Sequence, residues 1–209
     1  MTKQPDLLKV DWSAIPAPDD DGAAAHLPGA AIQPVALPAT DGSSVTLSSL
    51  PGRTVLFIYP RTGVPGQISL VDDWDMIPGA RGCTPQTCSF RDLFTDLKTA
   101  GADAVFGLST QSSAYQSEMA TRLHLPFPVL SDESLELTRA LNLPTMQVAG
   151  MTLLKRMALI IDDGRISYVF YPVFPPDRNA GEVLEWLKAN PHGEFCWKAL
   201  LPCGGGAKR

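Results

Sequence analysis

From Thr54 to Tyr59 the chain is a continuous apolar run, and it stops at Pro60. A strand reads this way when both faces of its sheet are covered, as in a parallel sheet sandwiched by helices. Proline lacks the N–H that a ladder needs and so closes the run. A second buried strand follows at Asp103–Ser109. Between the two, Phe90, Leu93, Phe94 and Leu97 fall at i, i+3, i+4 and i+7, which predicts a helix over 85–100. Thr84 suits its N-cap, Pro85 its first position and Gly101 its end. Strand, helix and strand in this order require a crossover connection and hence parallel pairing.

The rest of the chain continues the alternation. A second helix is predicted near Ser113–Leu123, then a short strand at Phe127–Leu130. Ser131-Asp132 would cap a third helix running through Ala140. Leu159–Ile161, Asp163-Gly164 and Ile166–Phe170 make a hairpin with a turn that favours positive φ. Ala180–Ala189, with Val183, Leu184 and Leu187 on one face, closes the domain as a helix. The expected architecture is α/β and thioredoxin-like: a central mixed sheet flanked by helices on both faces, with an antiparallel edge. In such sheets the reactive site lies beyond the carboxyl ends of strands, here after Tyr59. The long segment 61–82, with Pro65, Gly66, Pro78 and Gly79, then reads as a functional loop or lid.

Residues 28–190 form this domain. Residues 1–27, rich in Ala, Pro and Asp, read as an extended arm, and 191–209, with Gly204-Gly205-Gly206, as a flexible tail. A net charge of −5 argues against nucleic acid or an anionic membrane as partner, because both demand concentrated basic surface. No stretch approaches the roughly 20 apolar residues of a membrane span. The first ten residues lack the apolar core of a secretory signal, so a cytoplasmic location is expected.

Four cysteines are too few for a disulfide scaffold in a chain of 209 residues, and closely spaced pairs in a reducing compartment point to redox chemistry or metal. Cys83 stands just before the predicted helix, where backbone N–H groups and the helix dipole favour thiolate over thiol. A thiolate attacks peroxide oxygen and becomes a sulfenic acid, which a neighbouring thiol traps as a disulfide. Cys88 is placed for that task. Residues five apart in a helix have Cα atoms roughly 8–9 Å apart, whereas a disulfide tolerates about 7 Å at most. The bond therefore demands that the first turns unwind. The competing reading is that both cysteines are small core residues. The spacing is not C-x-x-C, which disfavours a thioredoxin-style reductase site.

Residues 82–92, Gly82-Cys83-Thr84-Pro85-Gln86-Thr87-Cys88-Ser89-Phe90-Arg91-Asp92, resemble the G-C-T-x-x-x-C-x-F-R-D signature of peroxiredoxins of the Q, or bacterioferritin-comigratory, type. Asp41-Gly42, Val55–Pro60, Gly107–Ser109, Leu125–Asp132, Leu154–Arg156 and Val183–Leu187 extend the resemblance over roughly 28–190. It implies a thioredoxin fold and reduction of hydrogen peroxide or organic hydroperoxides. It also implies Cys83 as peroxidatic and Cys88 as resolving cysteine, with recycling by thioredoxin or a similar dithiol. No metal, haem or flavin is implied, and the chain is expected to be a monomer or homodimer. Arg156 aligns with the family's second-strand arginine, whose guanidinium would stabilise thiolate and polarise peroxide. Arg61 and Arg81 are rival cations.

The family motif P-x-x-x-T-x-x-C would put Pro and Thr where this chain has Met76 and Ala80. Tyr59–Gly66 resembles the start of the same motif, but Gln67 stands where the cysteine should follow. An insertion, 67–82, separates the halves. Pro60 is then the candidate shield of the site, and Thr62 the nearest hydroxyl for thiolate or peroxide, two positions out of register. Thr84 is the alternative hydroxyl or a helix cap. Two rival functions keep the same cysteines: a redox sensor or dithiol–disulfide carrier with little turnover, and a non-catalytic interaction module. Cys196 and Cys203, with His192 nearby, have no zinc-site spacing and read as incidental. His26 and His124 read as structural, and Trp74, Trp186, Trp197 and the aromatic, proline-rich stretch 170–176 as packing.

Overall fold

The structure is a computed structural model that describes residues 10–192. Cys196, Trp197 and Cys203 lie outside those residues. Hairpin strands β1 (Ala36–Pro38) and β2 (Ser44–Thr46) lead to β3 (Arg53–Ile58), buried at all six positions. Helices α1 (Cys83–Asp92) and α2 (Phe94–Thr99) carry the chain to β4 (Ala104–Ser109). Then come α3 (Ser113–Arg122), β5 (Val129–Ser131), α4 (Glu136–Leu141), and strands β6 (Thr145–Val148) and β7 (Met151–Leu154). The last elements are β8 (Met157–Asp162), β9 (Arg165–Phe170) and α5 (Asn179–Ala189).

The central sheet has the order β5-β4-β3-β8-β9. β3 pairs in parallel with β4, and β4 with β5, as the crossover helices require. The hairpin β8–β9 adds the antiparallel side, Val55 lying opposite Ile160. Its two-residue turn, Asp163 and Gly164, has φ of 47° and 75°, and a Cβ on Gly164 would fall 2.6 Å from the Ser48 carbonyl oxygen. Only glycine meets both conditions.

Apolar clusters fill both faces of the sheet, one around Leu56, Leu108 and Leu159, the other around Phe57, Phe90 and Val183. The second sets the position of α1. Phe57 stacks on Phe90 with ring centroids 4.2 Å apart. Gly107 on β4 makes room for that ring, since a Cβ there would lie 2.9 Å from Phe57.

The elements depart from expectation at the first and third helices and at one hairpin. The helix predicted over 85–100 begins two residues earlier, at Cys83, and breaks at Leu93, whose φ −96° and ψ 7° leave the helical range. Its N-cap is Gly82 at φ 104° and not Thr84. Pro85 is therefore the third helical residue, still in the first turn, where backbone N–H groups have no partner within the helix to lose. The third helix starts at Glu136, and the Asp132 carboxylate caps it from outside, accepting from the N–H groups of Leu137 and Thr138 at 3.1 and 2.7 Å. The hairpin β6–β7 has no counterpart among the predicted elements. Its turn, Ala149-Gly150, holds an alanine at φ 49°, which carries none of the usual turn signals.

The N-terminal arm, from residue 10, lies against the domain. Ala24 and Leu27 enter the core, and Asp21 bonds to Lys155 and to the Tyr171 hydroxyl. No helix among the described residues is long and apolar enough to cross a membrane.

Candidate active site

Gly82 turns the chain into α1 so that Cys83 is the first helical residue and its sulfur faces the β7–β8 connection. Cys83 is 4% exposed and lines a cleft of about 790 Å³ with Arg61, Thr62, Trp74, Thr84 and Tyr115. Residues 64–70, which run into the start of the insertion, also line the cleft, and Ile68 among them is 92% exposed.

Arg156, 2% exposed, directs Nη2 at the Cys83 sulfur across 3.2 Å. The same nitrogen donates to the carbonyls of Gly79, Ala80 and Arg81 at 3.2, 3.1 and 3.0 Å. Nη1 donates to the Gln86 side-chain oxygen, and the Gln86 amide donates to Asn179 Oδ1 at 2.9 Å. Nε has no partner among the described residues. None of the ion pairs among those residues involves Arg156. A buried cation is costly unless an anion compensates it, and the group it touches that can become one is Cys83. The rival cations are committed elsewhere: Arg81 pairs with Asp75 at 2.9 Å, and Arg61 lies over the Tyr115 ring at 5.0 Å.

Beneath the sulfur, Tyr59 is fully buried and its hydroxyl donates to Gln116. Burial first, and the Cys83 charge second, push its pKa well above that of an ordinary phenol. It stays a neutral floor. Cys88, on the same helix, is 7% exposed, and its thiol is pushed up by burial, with Arg91 opposing. Both cysteines are free. With the intervening residues helical, their Cα atoms are separated by roughly 8–9 Å, too far for a disulfide.

Thr62 is buried, and both its N–H and its hydroxyl donate to Gln111 Oε1, at 2.8 and 3.1 Å. Gln111 returns a bond to the Thr62 carbonyl at 3.0 Å. Thr62 thus shares the cleft with Cys83 but spends its proton on Gln111. Pro60 is buried next to Tyr59, where its carbonyl accepts from Ser109, and it lies outside the cleft lining. Ala80, where a family threonine would stand, turns its carbonyl to the Cys83 sulfur at 3.6 Å. Gln86, Asn179 and Gln111 organise the site and were not singled out from sequence. Gln86 falls at an unspecified position of the cysteine signature, and amides carry no spacing pattern of their own. Among the described residues no cluster of His, Cys, Asp or Glu has the makings of a metal site.

Known proteins share this arrangement of elements. Residues 27–184 match the redoxin family model. The chloroplastic peroxiredoxin Q of Oryza sativa subsp. japonica is 32% identical over 151 residues, 71% of this chain and 61% of that protein. The chain thus spans about three-fifths of the length of that relative. Peroxiredoxin Bcp of Escherichia coli is 33% identical over 157 residues, covering 73% of this chain and 89% of that protein. Among solved structures, peroxidoxin BcpB of Mycobacterium tuberculosis superposes with a TM-score of 0.62 at 26% identity, over 78% of this chain and 97% of that one. A PrxQ mutant of Xylella fastidiosa, at 22% identity, also gives 0.62 and shares the fold. A match running from residue 27 to residue 184, and a bacterial relative covered almost end to end at 33% identity, make the chain a member of the peroxiredoxin family.

Proposed function

We propose that the protein is a thiol-dependent peroxidase acting on hydrogen peroxide or organic hydroperoxides. The observation that carries the reading is the 3.2 Å contact between Arg156 Nη2 and Cys83 Sγ at the head of α1. The Cys83 thiolate attacks one peroxide oxygen. An S–O bond forms, the O–O bond breaks, and the departing oxygen takes a proton to leave as water or an alcohol. The guanidinium, with a second N–H edge free of other charge, stabilises the negative charge that moves from sulfur to oxygen. Cys88 then attacks the sulfenic sulfur. An S–S bond forms, the S–O bond breaks, and hydroxide leaves as water with the Cys88 proton. A dithiol of the thioredoxin kind, in a reducing compartment such as the cytoplasm, returns both thiols by exchange.

Because α1 keeps the two sulfurs apart and Cys88 stays a buried thiol, the second step requires the first turns of the helix to open. Intact mass after one equivalent of peroxide tests the sequence of steps. Wild type should lose two hydrogens, and Cys88→Ser should gain one oxygen that a sulfenic-acid reagent captures. No oxygen on Cys83 in either protein would overturn it.

One observation favours a second reading, a redox sensor or dithiol–disulfide carrier with little turnover. The Thr62 proton is already donated to Gln111, which leaves no free threonine O–H beside Cys83 from that residue. Steady-state peroxide consumption coupled to thioredoxin separates the two: a sensor oxidises once and slowly, a peroxidase cycles.

A further inference from the structure

We infer that the N-terminal arm, through Trp12, is a positioning element that holds the head of α1 closed and so sets the rate at which Cys88 resolves oxidised Cys83. The inference rests on the Cys83–Cys88 reading above.

Besides entering the core through Ala24 and Leu27, the arm makes three contacts that bear on the segments carrying Cys83 and Arg156. Trp12 is half-buried at the start of a single 3-10 turn, Trp12–Ala14, capped by Asp11, which accepts from Ser13 N–H. Its indole N–H donates to Asp177 Oδ2 at 2.9 Å, and its ring meets the Phe174 ring edge-on, with centroids 6.0 Å apart. The far edge of the indole lies over Gly82. A Cβ placed on Gly82 would stand 2.7 Å from Trp12 Cη2 and 2.6 Å from Pro176 Cγ. An arm residue and the 3-10 turn Pro176–Arg178 thus close together over the same face of Gly82.

Further along, Pro18 packs on Gly79, within 3.7 Å of a Cβ position there. Gly79 gives Arg156 one of its three carbonyl acceptors. Asp21 then pairs with Lys155, the neighbour of Arg156, at 2.5 Å, and accepts from the Tyr171 hydroxyl at 2.7 Å. The Lys155 bond first, and the Tyr171 bond second, hold the Asp21 carboxyl far below the usual range, so this grip stays charged at any physiological pH. Arm residues and Arg156 also share the lining of a smaller cleft of about 240 Å³.

Opening α1 starts where its first internal bond is, from Gln86 N–H to the Gly82 carbonyl at 3.0 Å. Releasing Cys83–Thr87 swings Gly82 out of its αL conformation. That motion drives it against Trp12 or Pro176, so the indole has to lift. The peroxide step needs no such motion, because Cys83 already lines the larger cleft while the helix is closed. The arm thus acts on one step and not on the other. It prolongs the sulfenic state and with it the exposure to a second peroxide.

Rapid quench and intact mass measure the two steps apart: sulfenic acid formation in a Cys88→Ser background, and disulfide formation with Cys88 present. Trp12→Ala and removal of residues 1–15, which spares the Pro18 and Asp21 grips, should leave the first rate within about twofold. Both should speed the second roughly tenfold, as expected when the closed state alone is deprived of one hydrogen bond and one edge-on ring pairing. At high peroxide the sulfinic fraction should fall. Asp177→Ala, a surface change that spares the ring, should give the same sign with a smaller effect. Disulfide formation at the wild-type rate in all three proteins would overturn the inference, as would a parallel change in both steps, which marks general loosening. Absence of a sulfenic acid in Cys88→Ser would instead overturn the Cys83–Cys88 reading itself, whatever the arm variants do.

Discussion

Arg156 donates from one nitrogen to the Cys83 sulfur at 3.2 Å and to the carbonyls of residues 79, 80 and 81. One guanidinium edge therefore fixes both the loop that delivers Cys83 and the charge beside it. A lysine offers a single point of charge on a flexible stem and lacks the second nitrogen, Nη1, that donates to Gln86 and fixes the orientation of the guanidinium. Arg156→Ala should lower the second-order rate with peroxide by more than about a hundredfold, and Arg156→Lys should recover little of it. Competition against a reference peroxidase measures both. An unchanged rate in Arg156→Ala would remove the cation from the mechanism.

Gln86 links Arg156 to Asn179 on α5. Gln86→Leu keeps the volume and strands a buried guanidinium nitrogen and the Asn179 carbonyl. Loss of these bonds should cost about 1–3 kcal/mol of stability in urea unfolding and slow the peroxide step by misaligning Arg156. Asn179→Ala removes only the outer partner and should do less of both.

Gly82→Ala puts a side chain where φ is 104° and where Trp12 and Pro176 leave no room. It should destabilise the reduced protein by at least about 1–3 kcal/mol and raise hydrogen exchange across the first turn of α1. Gly79→Ala is the control, since the nearest side-chain atoms there are at 3.7 Å and the strain is in φ alone.

Burial lifts the Cys88 thiol above its ordinary value of 9.0. A folded-state value raised above the unfolded one means that the native state holds the proton more tightly. The stability it contributes is complete below the unfolded value and is lost as pH climbs through the folded one. The reduced protein should therefore lose stability above about pH 9, and Cys88→Ala should lose less in that window. At neutral pH iodoacetamide should modify Cys83 first and Cys88 only as the helix opens.

Much of the site was legible in the sequence because its chemistry is local. The run stopped by Pro60, the place of Cys83 at the head of a helix and the five-residue spacing to Cys88 follow from strand and helix rules that act within one or two turns. What failed was also local in part. Thr84 is a good cap by type, but Gly82 supplies the left-handed turn that places Cys83 itself in the first helical position. The long-range partners were out of reach. Gln86 meets Arg156 and Asn179, 70 and 93 residues away, and Trp12 meets Asp177 across 165 residues. Nothing in a run of Ala, Pro and Asp near the N-terminus announces that its tryptophan sits on Gly82.

Amide hydrogen exchange across residues 84–90, read in the dithiol protein and in the Cys83–Cys88 disulfide, tests the whole account at its centre. The reduced helix should be protected, as its bonds from Gln86 to Gly82 and onward require, and the oxidised segment should exchange at close to the rate of an unstructured chain. Equal protection in the two states would mean that the sulfurs meet without unwinding α1, and the account would be wrong.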